Sequence, residues 1–240
     1  MTDNDTDDDE YTPEYEFETF VLSPNIKFEI LSLQPPPIEY MSILHTQKHE
    51  ISGRQVWCGS MLLAKYFLTQ LPLKRNILEL GSGTGLLGMT LSKLCAATKI
   101  VITDGDDDAI ELMKRNLIQN ELLSSNNNIE IQKLVWGQDN NDLTLSSFDM
   151  IVAGDVLYKE ILPPLFFATV NEYLSADGVL WLCHIPRAGM DHERVRRFAQ
   201  DAGFGVEEVP SDHLTVEGVA EEDRVRAKIY KMTRQTKAEE

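Results

Sequence analysis

Apolar residues in this chain fall into short blocks separated by polar or glycine-rich breaks, and their spacing alternates between strand and helix periods. From Tyr15, Phe17, Phe20, Val21, Ile26, Phe28, Ile30 and Leu31 alternate roughly around Ser23-Pro24-Asn25, which predicts a small hairpin. Pro35-Pro36-Pro37 forbids helix and makes a stiff connector. Met61, Leu62, Tyr66 and Leu68 form a helical stripe that Pro72 closes. Ile77, Leu78 and Leu80 are too few to fill a helix and predict a strand, whereas Leu86, Leu87, Met89, Leu91 and Leu94 give the buried face of a helix. The alternation continues with a strand over Lys99 to Thr103, a helix over Ala109 to Leu123, a polar loop from Ser124 to Asn128 and a strand from Ile129 to Trp136. Phe148 to Ala153 is a buried strand, Leu162 to Leu174 a helix, Gly178 to His184 a strand and Met190 to Ala202 a helix. Val206 to Val209 and Ala227 to Met232 are candidates for the last two strands. Strands alternating with helices predict an α/β sheet with helices on both faces, carrying a small N-terminal β extension.

The densest chemical signal is Glu79-Leu80-Gly81-Ser82-Gly83-Thr84-Gly85, between the first sheet strand and its helix. Glycines suit that turn because it demands unusual backbone angles and because a side chain would hold a ligand away from the backbone. Free amides at the start of the next helix then face a crevice, which makes a cofactor seat. Gly83 to Gly88 also fits the G-x-G-x-x-G of dinucleotide enzymes, with Asp104 where their ribose-binding acid falls. The whole phrase, however, resembles the E/D-x-G-x-G-x-G of seven-stranded methyltransferases that bind S-adenosylmethionine. In that family the acid before the first glycine acts through water on the amino acid end of the cofactor, a role that falls to Glu79. A pyrophosphate gains from bare amides, while a ligand carrying an ammonium and a sulfonium gains from carboxylates, so Glu79 favours the methyl donor.

Composition narrows the setting. The 240 residues, 42% hydrophobic and 25% charged, suit one α/β domain with a short appendage. The expected division is an acidic leader over 1–14, a β extension and connector over 15–50, the main domain over 51–234 and a tail over 235–240. No apolar run reaches the roughly 18 residues of a membrane span, and the start lacks the features of a signal peptide, which predicts a cytosolic chain with access to the nucleus as a further option. Cys58, Cys95 and Cys183 show no metal-ligand spacing and read as reduced thiols; no metal is expected. A net charge of -17 argues against direct nucleic-acid binding. Much of it sits in the leader, at Asp3, Asp5, Asp7, Asp8, Asp9 and Glu10, which reads as a disordered solubilising tail. A monomer is expected.

At the end of the fourth strand comes Gly154-Asp155-Val156-Leu157-Tyr158. With it the chain resembles family 16 of the seven-stranded methyltransferases, whose protein-lysine members carry D/E-x-x-Y/F at this place. Similarity extends through Gly53 to Trp57, Glu79 to Gly88, Thr103 to Asn116, Leu134 to Trp136 and Leu180 to Phe204, most of the chain after the leader. The resemblance implies a Rossmann-like seven-stranded sheet whose last two strands are antiparallel, and a protein substrate. The expected cofactor-binding residues are Glu79, Gly81, Ser82, Gly83, Thr84 and Gly85 at the glycine turn, Asp104 at the ribose with Gly105 beside it in the chain, Trp136, and Ala153. Trp57 has two readings, a core anchor of its helix or a lid over the cofactor's amino acid end. Trp136 likewise reads as core or as the flat neighbour of an adenine. Asp106, Asp107 and Asp108 read as helix caps.

The chemistry implied is direct displacement, a neutral amine attacking the sulfonium methyl. Lysine has a pKa of about 10.4, so presenting it neutral at pH 7 costs about 4 to 5 kcal/mol unless the site assists. The expected roles are Asp155 or its backbone carbonyl orienting the incoming ammonium, and Tyr158 walling the slot while offering a hydroxyl acceptor. Asp155 also reads as a cap for a helix starting near Glu160. His184 reads as a structural histidine or as one reaching the substrate mouth. Arg187, Arg194, Arg196 and Arg197 read as a solvated surface or as contacts for an acidic substrate. The expected function is protein-lysine methylation. The alternatives are methylation of histidine, arginine or a small molecule, and a cofactor-binding scaffold without turnover. An N6-adenine enzyme is disfavoured because Asp155-Val156-Leu157-Tyr158 lacks the stacked prolines of D/N-P-P-Y.

Overall fold

A computed structural model describes residues 13–35, 51–69, 76–95, 99–123, 128–138, 148–211 and 213–235. The expected acidic leader through Glu10, the Pro36-Pro37 part of the connector, Pro72, residues 124–127 of the polar loop and the tail beyond Gln235 lie outside the described residues. Strands β1 (Tyr15–Ser23) and β2 (Ile26–Leu33) form the N-terminal hairpin. A 3-10 turn (Ser52–Arg54) leads to α1 (Cys58–Phe67), then β3 (Asn76–Leu80), α2 (Leu86–Leu94), β4 (Lys99–Asp104), α3 (Asp107–Gln119) and β5 (Ile129–Lys133). The second half runs β6 (Phe148–Gly154), α4 (Leu162–Tyr173), β7 (Leu174–His184), α5 (His192–Asp201), β8 (Phe204–Val209), α6 (Glu221–Arg226) and β9 (Lys228–Arg234).

The main sheet has seven strands in the order β5-β4-β3-β6-β7-β9-β8. The first five are parallel, and β9 enters antiparallel to both β7 and β8. The chain winds outward from β3 in one direction and from β6 in the other, so a crevice opens where the order reverses, above their carboxyl ends. Strand alternation separates two cores: Ile77 packs with α1, α2 and the hairpin, while Leu78 and Leu80 pack with α4 and α5 on the opposite face. Glu79 shares the face of Ile77, among the apolar side chains under α2, which determines its chemistry below.

Two asparagines attach the hairpin to the domain. The Leu31 N–H donates to Asn116 Oδ1 at 2.7 Å, while Asn116 Nδ2 donates to the carbonyls of Leu31 at 3.1 Å and Thr84 at 3.0 Å. One turn on, Asn120 exchanges the same pair of bonds with Glu29, at 3.0 and 2.8 Å. Spaced four apart at the end of α3, where Asn120 is the C-cap, these amides satisfy the edge of β2 as a neighbouring strand would. Through Thr84, Asn116 also ties the hairpin to the glycine turn.

Several boundaries differ from expectation. The strand expected to reach Trp136 stops at Lys133, and Trp136 sits in a turn. The fifth strand begins at Leu174 rather than Gly178, directly after α4, because Phe148 pairs with Leu174 across a register shift. Helix α6, unanticipated, has no buried residues and therefore no apolar stripe to announce it.

Candidate functional site

A cavity of about 870 Å³ opens at the carboxyl ends of β3, β4 and β6. Its floor is the glycine turn. Gly81 and Gly83 both take left-handed backbone angles, φ 68° and 56°. A Cβ at Gly81 would come within 2.8 Å of Val156 Cγ1, and one at Gly83 within 3.0 Å of the Gly53 carbonyl, so neither conformation nor space admits a side chain. The Ser52–Arg54 turn lies across this floor. Arg54 fixes it from outside, its Nη2 bonded to Asp108 at 2.6 Å.

Two carboxylates serve the floor. Asp104 lines the cavity and is held by two amides, the Gly83 N–H donating to Oδ2 at 3.0 Å and the Asp106 N–H to Oδ1 at 3.1 Å. Burial nevertheless raises its pKa, with those amides and that of Gly105 working against the rise. Glu79 is sealed beneath the turn, 1% exposed, with neither carboxylate oxygen in a well-formed hydrogen bond. Burial drives its pKa up to about 8; the Ser82 hydroxyl and the Gly88 N–H oppose the rise, and Asp104 adds to it.

At the mouth the chain makes its second unusual turn. Asp155 adopts φ 60°, a left-handed conformation that costs an L-residue about 1 to 2 kcal/mol. The surroundings hold it there. Its N–H donates to the Cys183 carbonyl at 2.8 Å, and the start of α1 presses so close that a Cβ on Gly59 would meet Asp155 Cβ at 2.6 Å. The carboxylate accepts from the Ile185 N–H at 3.2 Å and from Arg187 Nη2 at 2.5 Å. Burial lifts its pKa to about 6, Arg187 and the Ile185 amide hold it down, and Asp223 pushes it up again. The cap reading is therefore excluded: α4 starts at Leu162 with Ile161 as its N-cap, and Asp155 faces the cavity instead.

Tyr158 and Trp57 both bond to Ser52. The Tyr158 hydroxyl lies 3.0 Å from Ser52 Oγ, and Trp57 Nε1 donates to the Ser52 carbonyl at 2.6 Å. Trp57 is 36% exposed on the cavity wall, which rules out the core-anchor reading. Trp136 also lines the cavity, braced edge-on by Phe166 at 5.2 Å, so it belongs to wall and core together.

Of the residues expected at the site, Trp57, Gly81, Ser82, Gly83, Thr84 and Asp104 line one cavity, joined by Gly105, Trp136, Asp155 and Tyr158. Glu79, Gly85 and Ala153 do not line it. Glu79 points to the α2 face of the sheet, Ala153 packs into the opposite core, and Gly85 is the N-cap of α2, its Cβ position facing Met113. His184 is fully buried, with Nε2 3.2 Å from the Met190 carbonyl, and does not reach the mouth. Burial beside His192 lowers its pKa to about 4. Arg194 and Arg196 are paired with Glu160 and Glu208, whereas Arg187 belongs to the cavity. Asp106 caps α3 through the Asp108 N–H, as expected of that acidic run. Ser52, one residue before the Gly53 to Trp57 segment, also lines the cavity, and no motif in the sequence marks it.

Residues 39–201 match the lysine methyltransferase family. The chain is 30% identical over 152 residues to the calmodulin-lysine N-methyltransferase of Arabidopsis thaliana, covering 62% of this chain and 50% of that one. It is 29% identical over 162 residues to the protein N-lysine methyltransferase METTL21A of Danio rerio, covering 65% and 71%. The match thus spans about half the length of the Arabidopsis relative. Among solved structures, a TehB-like S-adenosylmethionine-dependent methyltransferase from Corynebacterium glutamicum superposes with a TM-score of 0.54 at 20% identity, covering 82% of this chain and 95% of that one. A methyltransferase from Aquifex aeolicus, dependent on the same cofactor, gives 0.55 at 17%, covering 73% and 93%. These share the Rossmann-like fold.

Proposed function

The chain belongs to the lysine methyltransferase family, and on that premise we propose that it transfers a methyl group from S-adenosylmethionine to a lysine side chain of a protein substrate. One observation carries the reading: a single cavity runs from the glycine turn to Asp155 and Tyr158. Its chemistry fits the cofactor. The Gly83 N–H, an amide of the floor that a pyrophosphate would use, is already engaged by Asp104. A ligand bearing an ammonium and a sulfonium gains from both Asp104 and Glu79. When bound, this cofactor supplies an electrophilic methyl group on sulfur.

The chain's own residues do the rest. Asp104, fixed by two amides, accepts from the ribose hydroxyls, and Trp136 gives the adenine a flat apolar wall. Trp57 covers the amino acid end from the rim. Tyr158, its hydroxyl tied to Ser52, walls the slot through which the lysine enters. Asp155 orients the amine, and with a pKa of about 6 it is too weak a base to keep the proton of an ammonium group near 10.4. The proton therefore leaves to water, and burial in the slot favours the neutral amine.

The test is transfer of tritium from labelled S-adenosylmethionine into cell-extract protein, followed by acid hydrolysis and separation of the amino acids. Label in Nε-methyllysine is expected. Label in methylhistidine or methylarginine overturns the choice of lysine, and a complete absence of label favours a non-catalytic scaffold.

A further inference from the structure

Resting on that reading, one feature of the mouth specifies the substrate further. Asp155, the carboxylate that is to receive the incoming ammonium, is already occupied. Its side chain is 2% exposed and pairs at 2.5 Å with Arg187, whose side chain is 30% exposed. The remaining oxygen takes the Ile185 N–H. The guanidinium also lies 5.8 Å from the Trp57 ring, so it is held between the carboxylate and an aromatic face at the rim.

An ammonium and a guanidinium on one buried carboxylate leave a surplus positive charge where little water can screen it. One of the two cations has to move. Asp155 is fixed by its left-handed backbone and the close approach of α1, whereas Arg187 is a long side chain reaching in from a loop anchored by the mutual backbone bonds of Arg187 and Met190. Arg187 therefore swings outward.

We propose that Arg187 selects substrates carrying an acidic residue next to the target lysine: the lysine takes Asp155, and the displaced guanidinium pairs with the substrate's own carboxylate. Two ion pairs then replace one, and no charge is left alone at the mouth. The net charge of -17 opposes acidic partners in general, so this preference is local, confined to residues flanking the lysine.

The experiment uses lysine-centred peptides whose flanking positions are all Glu, all Gln or all Lys, within a randomised library. Methyl transfer is measured alongside equilibrium binding to the enzyme saturated with S-adenosylhomocysteine. The wild-type chain is expected to prefer the Glu-flanked peptide over the Gln-flanked one by about tenfold in both readouts, the effect of one charge-assisted pair. Arg187→Gln brings the ratio close to one, and Arg187→Glu inverts it in favour of Lys flanks. A purely structural role for Arg187 changes all peptides together and leaves the ratio untouched. A wild-type ratio near one, or a preference that survives Arg187→Gln, overturns the proposal. If no lysine peptide in the library is labelled, the lysine reading itself fails and the proposal with it.

Discussion

Glu79→Gln tests the electrostatics of the cofactor floor without changing its shape. Glu79 titrates near 8 in the folded chain against its ordinary 4.5, because it is buried with both oxygens poorly satisfied. Between those two values the folded state holds a proton that the unfolded state has lost. Stability contributed by the protonated form is therefore complete below pH 4.5 and declines as pH rises through 8, at up to about 1.4 kcal/mol per pH unit. Integrated from pH 5 to pH 8, the group costs the wild-type chain about 3 to 4 kcal/mol of unfolding free energy. Glutamine carries no such titration. Whatever fixed penalty its buried amide adds, the difference between variant and wild type shifts by that amount across the same interval. Urea unfolding of both proteins at pH 5 and pH 8 measures it. Parallel stability curves would refute the assignment of a buried, unpaired acid under the turn. The same variant is expected to bind S-adenosylmethionine at least about tenfold more weakly at pH 8, since the ligand's positive charges lose an acid they would otherwise ionise.

Gly83→Val is expected to abolish S-adenosylhomocysteine binding by calorimetry, because φ is 56° and the new Cβ alone comes within 3.0 Å of the Gly53 carbonyl; unchanged affinity would refute the glycine floor. Asp155→Asn keeps the left-handed turn and is expected to lower methyl transfer by about a hundredfold or more while cofactor affinity stays within about twofold, and loss of cofactor binding would move Asp155 to another role. Asn116→Ala removes three hydrogen bonds and strands the Leu31 N–H and the Thr84 carbonyl, which predicts a loss of about 2 to 4 kcal/mol in urea unfolding; a loss below about 0.5 kcal/mol would show that the hairpin is not anchored there.

The sheet and its order of use were legible because β3, β4, β6 and β7 are buried strands whose apolar runs are bounded by glycines, acids or polar loops. The left-handed angles at Gly81 and Gly83 followed from the glycines themselves. The side-chain direction of Glu79 was open to reading too: strand alternation puts it with Ile77, away from Leu78 and Leu80, although the motif suggests a wall residue. What the sequence withheld depends on distant segments meeting. Ser52 meets Tyr158 across 106 positions, and Arg187 reaches Asp155 across 32. Asn116 and Asn120 look like ordinary polar positions of a helix until β2 lies beside them. The positive φ of Asp155 leaves no mark either, since aspartate is common both there and at helix caps.

The central claim is that the cavity above β3 holds a sulfonium cofactor and not a dinucleotide. Isothermal titration of the full chain with S-adenosylhomocysteine, and separately with NADH, tests it most directly. The account predicts saturable one-to-one binding of the first and no measurable heat with the second; binding of NADH with no affinity for S-adenosylhomocysteine would contradict it.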